Sequence, residues 1–82
     1  MDFGSATQLM IEGKKVQRSG WNGKGMLLFH VAGNAWGFET DVIGVDDIDT
    51  ESFICMKTAG GTLIPWLASQ ADILAWDWEE VV

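Results

Sequence analysis

Val16-Gln17-Arg18-Ser19-Gly20-Trp21-Asn22-Gly23-Lys24-Gly25-Met26-Leu27-Leu28-Phe29-His30-Val31 is the stretch whose reading decides the fold. Met26 to Val31 is the strongest strand of the chain and Val16-Gln17-Arg18 a short one, with a glycine-rich loop between them. Asn-Gly is the strongest hairpin turn dipeptide, so the two strands are expected to pair as a hairpin. Side chains alternate along a strand. Met26, Leu28 and His30 therefore share one face, and Leu27, Phe29 and Val31 share the other. Both faces are largely apolar, and a chain of 82 residues seldom covers both by itself. A subunit interface is expected at this strand.

Upstream, Asp2 is an N-cap candidate for a helix running to about Glu12. Phe3, Ala6, Leu9 and Met10 form one apolar stripe at helical spacing, read as core or subunit interface. Gly13 is a left-handed stop, and Lys14 and Lys15 suit the negative end of the helix dipole. Downstream, Gly33-Asn34 and Gly37 mark turns, and Val42-Ile43 with Val45 suggest a short strand. Asp46 to Glu51 is an acidic patch. It lacks the spacing of a calcium loop and reads as solvated.

Phe53 to Thr58, Ala59-Gly60-Gly61 and Thr62-Leu63-Ile64 form a second hairpin. Pro65 lacks an N–H donor, which places its strand at an edge or at its end. Ser69-Gln70-Ala71-Asp72 is a capping box opening a short second helix to about Ala75. Trp76 to Val81 alternates apolar and acidic residues and reads as a final strand, with Trp76 and Trp78 on one face. The expected fold is α+β: residues 1–82 as a single domain with an N-terminal helix, antiparallel hairpins and a short second helix, assembled as a homo-oligomer.

Composition bounds the function. The chain is 48% hydrophobic and carries a formal net charge of −7, which opposes binding to long nucleic acid. Oligomerisation is a standard remedy for a small core. Cys55 is the single cysteine, so no intrachain disulfide forms and a reducing compartment is expected. Neither a charged leader with an apolar run nor an apolar stretch of membrane-spanning length is found. A cytosolic protein without membrane partners is expected.

Catalytic groups are scarce. His30 is the sole histidine and reads as a buried, hydrogen-bonded residue rather than a general base. Cys55 reads as a small core hydrophobe. One His and one Cys cannot supply the four nitrogen or sulfur ligands of a structural zinc site, so no metal or cofactor is expected. Asp77 and Glu79 read as a solvated face. Arg18 to Gly25 combines cationic donors, an aromatic plate and glycines that let backbone approach a ligand. It lacks the spacing of a nucleotide-triphosphate loop and leads into a strand, so no helix N-terminus is offered to a phosphate. Composition alone leaves this loop open between a structural turn and a ligand loop.

Several blocks taken together resemble a known family. Phe3-Gly4, Gly13-Lys14-Lys15-Val16, Arg18 to Met26, Met56-Lys57-Thr58-Ala59, Pro65 to Leu74 and Asp77-Trp78 are similar to the second type of phage Thoeris anti-defence protein. The similarity covers residues 2–31 and 54–82; Ala32 to Ser52 aligns with no motif, and Trp76 stands where a charged residue is expected. The resemblance implies a sponge and not an enzyme. Such a protein sequesters a cyclic ADP-ribose isomer, glycocyclic ADP-ribose (gcADPR), made by TIR-domain enzymes, in the cytoplasm of the infected bacterial host. It also implies a small homotetramer whose pockets draw on more than one subunit, with cyclic dinucleotides held at separate sites in some members.

Carried over by position, the resemblance implies that Trp21 stacks on the base while Arg18, Ser19 and Asn22 supply polar contacts, with Gly23 and Lys24 in the same loop. Trp66 adds a second stacking wall, Ser69 or Gln70 bonds ribose or pyrophosphate, and Asp77 accepts hydrogen bonds from ribose or adenine. The alternatives are a structural or protein-interaction module without a small ligand, and a small nucleotide hydrolase.

Overall fold

The computed structural model describes residues 1–21 and 24–82; the expected contacts of Asn22 and Gly23 lie outside the described residues. Helix α1 spans Phe3–Ile11. Strand β1 (Lys15–Arg18) and strand β2 (Leu27–Val31) follow. Then come helix α2 (Thr40–Ile43), strand β3 (Phe53–Lys57), strand β4 (Leu63–Pro65), helix α3 (Gln70–Leu74) and strand β5 (Trp78–Val81). The strands form one five-stranded sheet in the order β4-β3-β2-β1-β5, and every pairing is antiparallel. The fold is α+β, as the sequence leads one to expect.

Local chemistry explains the element ends. The Asp2 carboxylate accepts from the Ser5 N–H at 2.8 Å, satisfying a donor that the first helical turn leaves unpaired. Gly13 takes φ 90° beyond the C-terminus of α1. The Ser69 hydroxyl accepts from the Asp72 N–H while the Asp72 carboxylate accepts from the Ser69 N–H, the reciprocal capping box at the start of α3. Pro65 lies on β4, an edge strand, where a missing donor leaves no ladder bond unmade.

Register sorts the sheet into two faces. Val16 pairs with Leu28 and Glu80, Leu28 with Met56, and Arg18 with Trp78. That face carries the core: Val16, Leu28, Met56 and Trp78 are buried together with Ala6 and Met10 of α1. Trp78 is the largest fully buried side chain. Phe3 tilts against it at 5.2 Å between ring centroids, and Trp66 stands edge-on at 6.1 Å. The opposite face presents Leu27, Phe29, Val31, Phe53, Cys55 and Leu63. Cys55 is buried there at the floor of an apolar groove of about 280 Å³ lined by Phe29, Val31, Trp36 and Pro65 among others.

Three expectations change. Residues 42–45 form no strand: Thr40–Ile43 is a turn of helix closed by Gly44 at φ 76°. The chain leaves the sheet at Val31 and rejoins it at Phe53, so a strand there would have no neighbour to pair with. Trp76 does not share the buried position of Trp78, because β5 begins only at Trp78; the Trp76 ring is 77% exposed. His30 is half-buried rather than buried, on β2 opposite Ile54. The base of the 32–52 arm is tied by Asn34 and Thr50, whose backbone N–H groups each donate to the other's side chain at 2.8 Å.

Leu28 is wholly buried between α1 and the sheet. Leu28→Ala removes its packing and leaves a void, and is expected to cost about 2–5 kcal/mol, read as a lowered midpoint in urea unfolding.

Candidate functional site

The loop between β1 and β2 is held by one guanidinium. Arg18, the last residue of β1, donates from Nε to Asp77 Oδ1 at 2.8 Å and from Nη1 to Asp72 Oδ1 at 3.0 Å. The other Asp77 oxygen accepts from the Gly20 N–H at 3.0 Å, and the Asp77 carbonyl accepts from the Ser19 N–H at 3.0 Å. The second Asp72 oxygen accepts from the Ser69 N–H and hydroxyl. The end of β1 with the start of its loop and the 69–77 segment, distant in sequence, therefore meet at one side chain.

Proton affinities follow this wiring. Arg18's hydrogen bond holds the Asp77 carboxyl below its ordinary value of 3.8, with the Gly20 N–H assisting. Burial pushes the Asp72 carboxyl upward, but the Ser69 donors and Arg18 outweigh it and hold it low. The hydrogen bonds that Arg18 donates to Asp77 and Asp72 raise its own proton affinity in turn. All three groups are charged at neutral pH.

Above this brace a pocket of about 280 Å³ opens at the end of the sheet, lined by Gln17, Arg18, Ser19, Trp21, Lys24, Gly25 and Glu79. Trp21 is half-buried and stands edge-on to Trp78 at 5.5 Å, so its plane is fixed by the core while part of the ring stays accessible. Gln17 Nε2 donates to Glu79 Oε1 at 2.9 Å, closing the floor on the β1–β5 side. Gly25 takes φ 80°, a conformation costly for residues with a Cβ. Lys24 and the accessible part of Trp21 are suited to an anionic group and a flat ring.

Of the residues expected at the site, Arg18, Ser19, Trp21 and Lys24 come together in this pocket. Asp77 sits behind it, with both carboxylate oxygens engaged by Arg18 and Gly20. Trp66 packs against Phe3 and Trp78, the Ser69 hydroxyl is committed to the α3 cap, and Gln70 is exposed on the first turn of α3. None of these three is among the described lining residues. Gln17 and Glu79 were not expected there. The alternation of Trp76 to Val81 hinted at Glu79, since it assigns that side chain to the face away from Trp78. No group of three or more His, Cys, Asp or Glu residues suited to a metal ion occurs among the described residues.

Two outcomes follow from the brace. A Cβ on Gly20 would lie 2.8 Å from Asp77 Oδ2, so Gly20→Ala is expected to push Asp77 off the loop and lower the melting temperature. Because Asp77 is held below 3.8, its stabilisation is present above that pH and is lost as pH falls through the lowered folded value. The melting-temperature gap between wild type and Asp77→Asn is therefore expected to be full at pH 7 and to close below about pH 4.

A family model described as "Tad2-like: Thoeris anti-defense 2-like domain" matches residues 1–81. The chain is also 38% identical over 84 residues to the protein named Thoeris anti-defense 2 of Bacillus phage SP01, an alignment covering 99% of this chain and 94% of that protein. With the sheet, the α1 cap and the braced loop all inside the matched span, the chain belongs to the Thoeris anti-defense 2-like family.

Proposed function

We propose that this protein is a phage anti-defence sponge that binds gcADPR, the cyclic ADP-ribose isomer made by TIR-domain enzymes, and holds it without cleaving it. Membership of the family supports the anti-defence role. The observation that carries the binding role is the pocket in which Trp21, Lys24 and the backbone of the braced loop converge. Base–aromatic stacking is worth about 1–3 kcal/mol, and charge-assisted hydrogen bonds to an anion are among the strong ones. Asp72 and Asp77 are bound to Arg18 and to backbone donors, which suits them to structure rather than proton transfer. His30, the sole histidine, faces Ile54 on β2 and is not among the described lining residues.

The sponge works as a homo-oligomer, a tetramer, in the host cytoplasm. Its support is the sheet face opposite α1, where Phe29 and Phe53 lie in an apolar groove that a second subunit would cover. A neighbouring subunit is then the source of the second pocket wall expected from Trp66, Ser69 and Gln70.

Incubating the protein with gcADPR, removing it on a filter and then heating it is expected to deplete the filtrate and afterwards return the same molecule. Recovery of an altered nucleotide would show turnover; cyclic dinucleotides run in parallel define the selectivity. Trp21→Ala is expected to weaken capture roughly fivefold to 150-fold, the equivalent of one lost stack. Phe29→Asp places a charge on the apolar face and is expected to reduce the particle mass measured by light scattering to that of a smaller assembly.

A further inference from the structure

Lys57 has no part in the pocket lining given above, although it lies within the span that matches the family model. On β3 it pairs with Leu27 on one side and Leu63 on the other. The Val16–Leu28 register puts Gln17 beside Leu27, and Gln17 pairs with Glu79. Directly opposed residues of neighbouring strands share a face. Leu63, Lys57, Leu27, Gln17 and Glu79 are thus one row across the sheet, at the end where the glycine loop sits. Gln17 and Glu79 are already the pocket's floor. At strand spacings of about 4.8 Å, Lys57 starts roughly 10 Å from Gln17. Its side chain turns toward the loop: Nζ lies 3.4 Å from the Gly25 carbonyl oxygen, a long contact.

Charge decides what this lysine is for. Arg18 lines the pocket but is matched by two carboxylates, so that cluster carries a net negative charge. Glu79 adds another. Lys24 is the one cation among the described lining residues without a carboxylate in contact, and alone it does not offset this. An ammonium has three donors, and the long Gly25 contact occupies one of Lys57's. We propose that Lys57 is a ligand-binding residue, a second cation that, with Lys24 across Gly25, holds the pyrophosphate-type anion of a small nucleotide. This rests on the sponge reading for the ligand's identity but not for its charge.

The test is a calorimetric titration of wild type, Lys57→Met and Lys57→Arg with two probes, inorganic pyrophosphate and gcADPR, at low and at physiological salt. Loss of one charge-assisted contact is expected to weaken both probes in Lys57→Met by about tenfold or more. The weakening is expected to be larger at low salt, where screening is slight, with affinity largely recovered in Lys57→Arg and melting temperatures unchanged. A merely structural lysine would not move the salt dependence. Equal pyrophosphate affinity in wild type and Lys57→Met overturns the proposal, as does a loss that is independent of salt and not recovered by Arg. A wild type that binds neither probe overturns it as well. Lys57-dependent pyrophosphate binding without gcADPR binding supports the lysine's role and counts against the sponge reading alone.

Discussion

The Arg18 guanidinium, shared between Asp72 and Asp77, is the contact on which the rest of the site depends. It lies at the junction of β1, the glycine loop, the α3 cap and the entry to β5. Each carboxylate does a second job: Asp77 holds the Gly20 N–H, and Asp72 completes the Ser69 cap. Breaking the guanidinium contacts would leave two partly buried carboxylates without their common cation, a costly arrangement. A planar fork with fixed donor directions suits this geometry; a lysine would supply the charge without the directions.

That brace also explains how a short loop can present an aromatic plate. Trp21 sits edge-on to Trp78, which is locked in the core by Phe3 and Trp66. The N-terminal ammonium is drawn into the same corner, donating to the carbonyls of Trp76 and Trp78, and the Trp78 indole donates to the Asp72 carbonyl. The core face of the sheet thus ends in an aromatic and polar cluster whose outer surface is the pocket. The other face stays apolar and open, so one sheet carries an α1-covered core on one side and an uncovered apolar groove on the other.

Much of this was legible in the chain because the signals were local. The hairpin of β1 and β2, the capping box at Ser69, the Asp2 cap and the edge position of Pro65 each follow from chemistry within a few residues. The brace was not legible, because Arg18 and Asp77 are far apart in sequence and only the β1–β5 pairing joins them. Arg18 therefore read only as an anion donor, and the two carboxylates it also holds went unseen. The resemblance implied Trp66 as a stacking wall; its place beside Phe3 depends on how α1 crosses the sheet, which no local signal gives. The alignment of Lys57 with Gln17 and Glu79 was not legible either. A row across a sheet exists only once the register is known.

Holding a ligand without transforming it places a particular demand on a small protein. On the proposed sponge reading, affinity has to exceed that of the competing receptor, and much of the gross interaction energy is ordinarily spent on ordering side chains and loops at the moment of binding. Here that ordering is done when the chain folds: Arg18 holds the loop against Asp72 and Asp77, Trp78 fixes Trp21, and Gly25 adopts its left-handed turn in advance. The arrangement also limits chemistry. A carboxylate held below its ordinary proton affinity by a guanidinium is a weak base, so the contacts that make the pocket rigid also make Asp72 and Asp77 poor proton acceptors. The bracing of the loop and the weak basicity of Asp72 and Asp77 then share one cause, the Arg18 guanidinium.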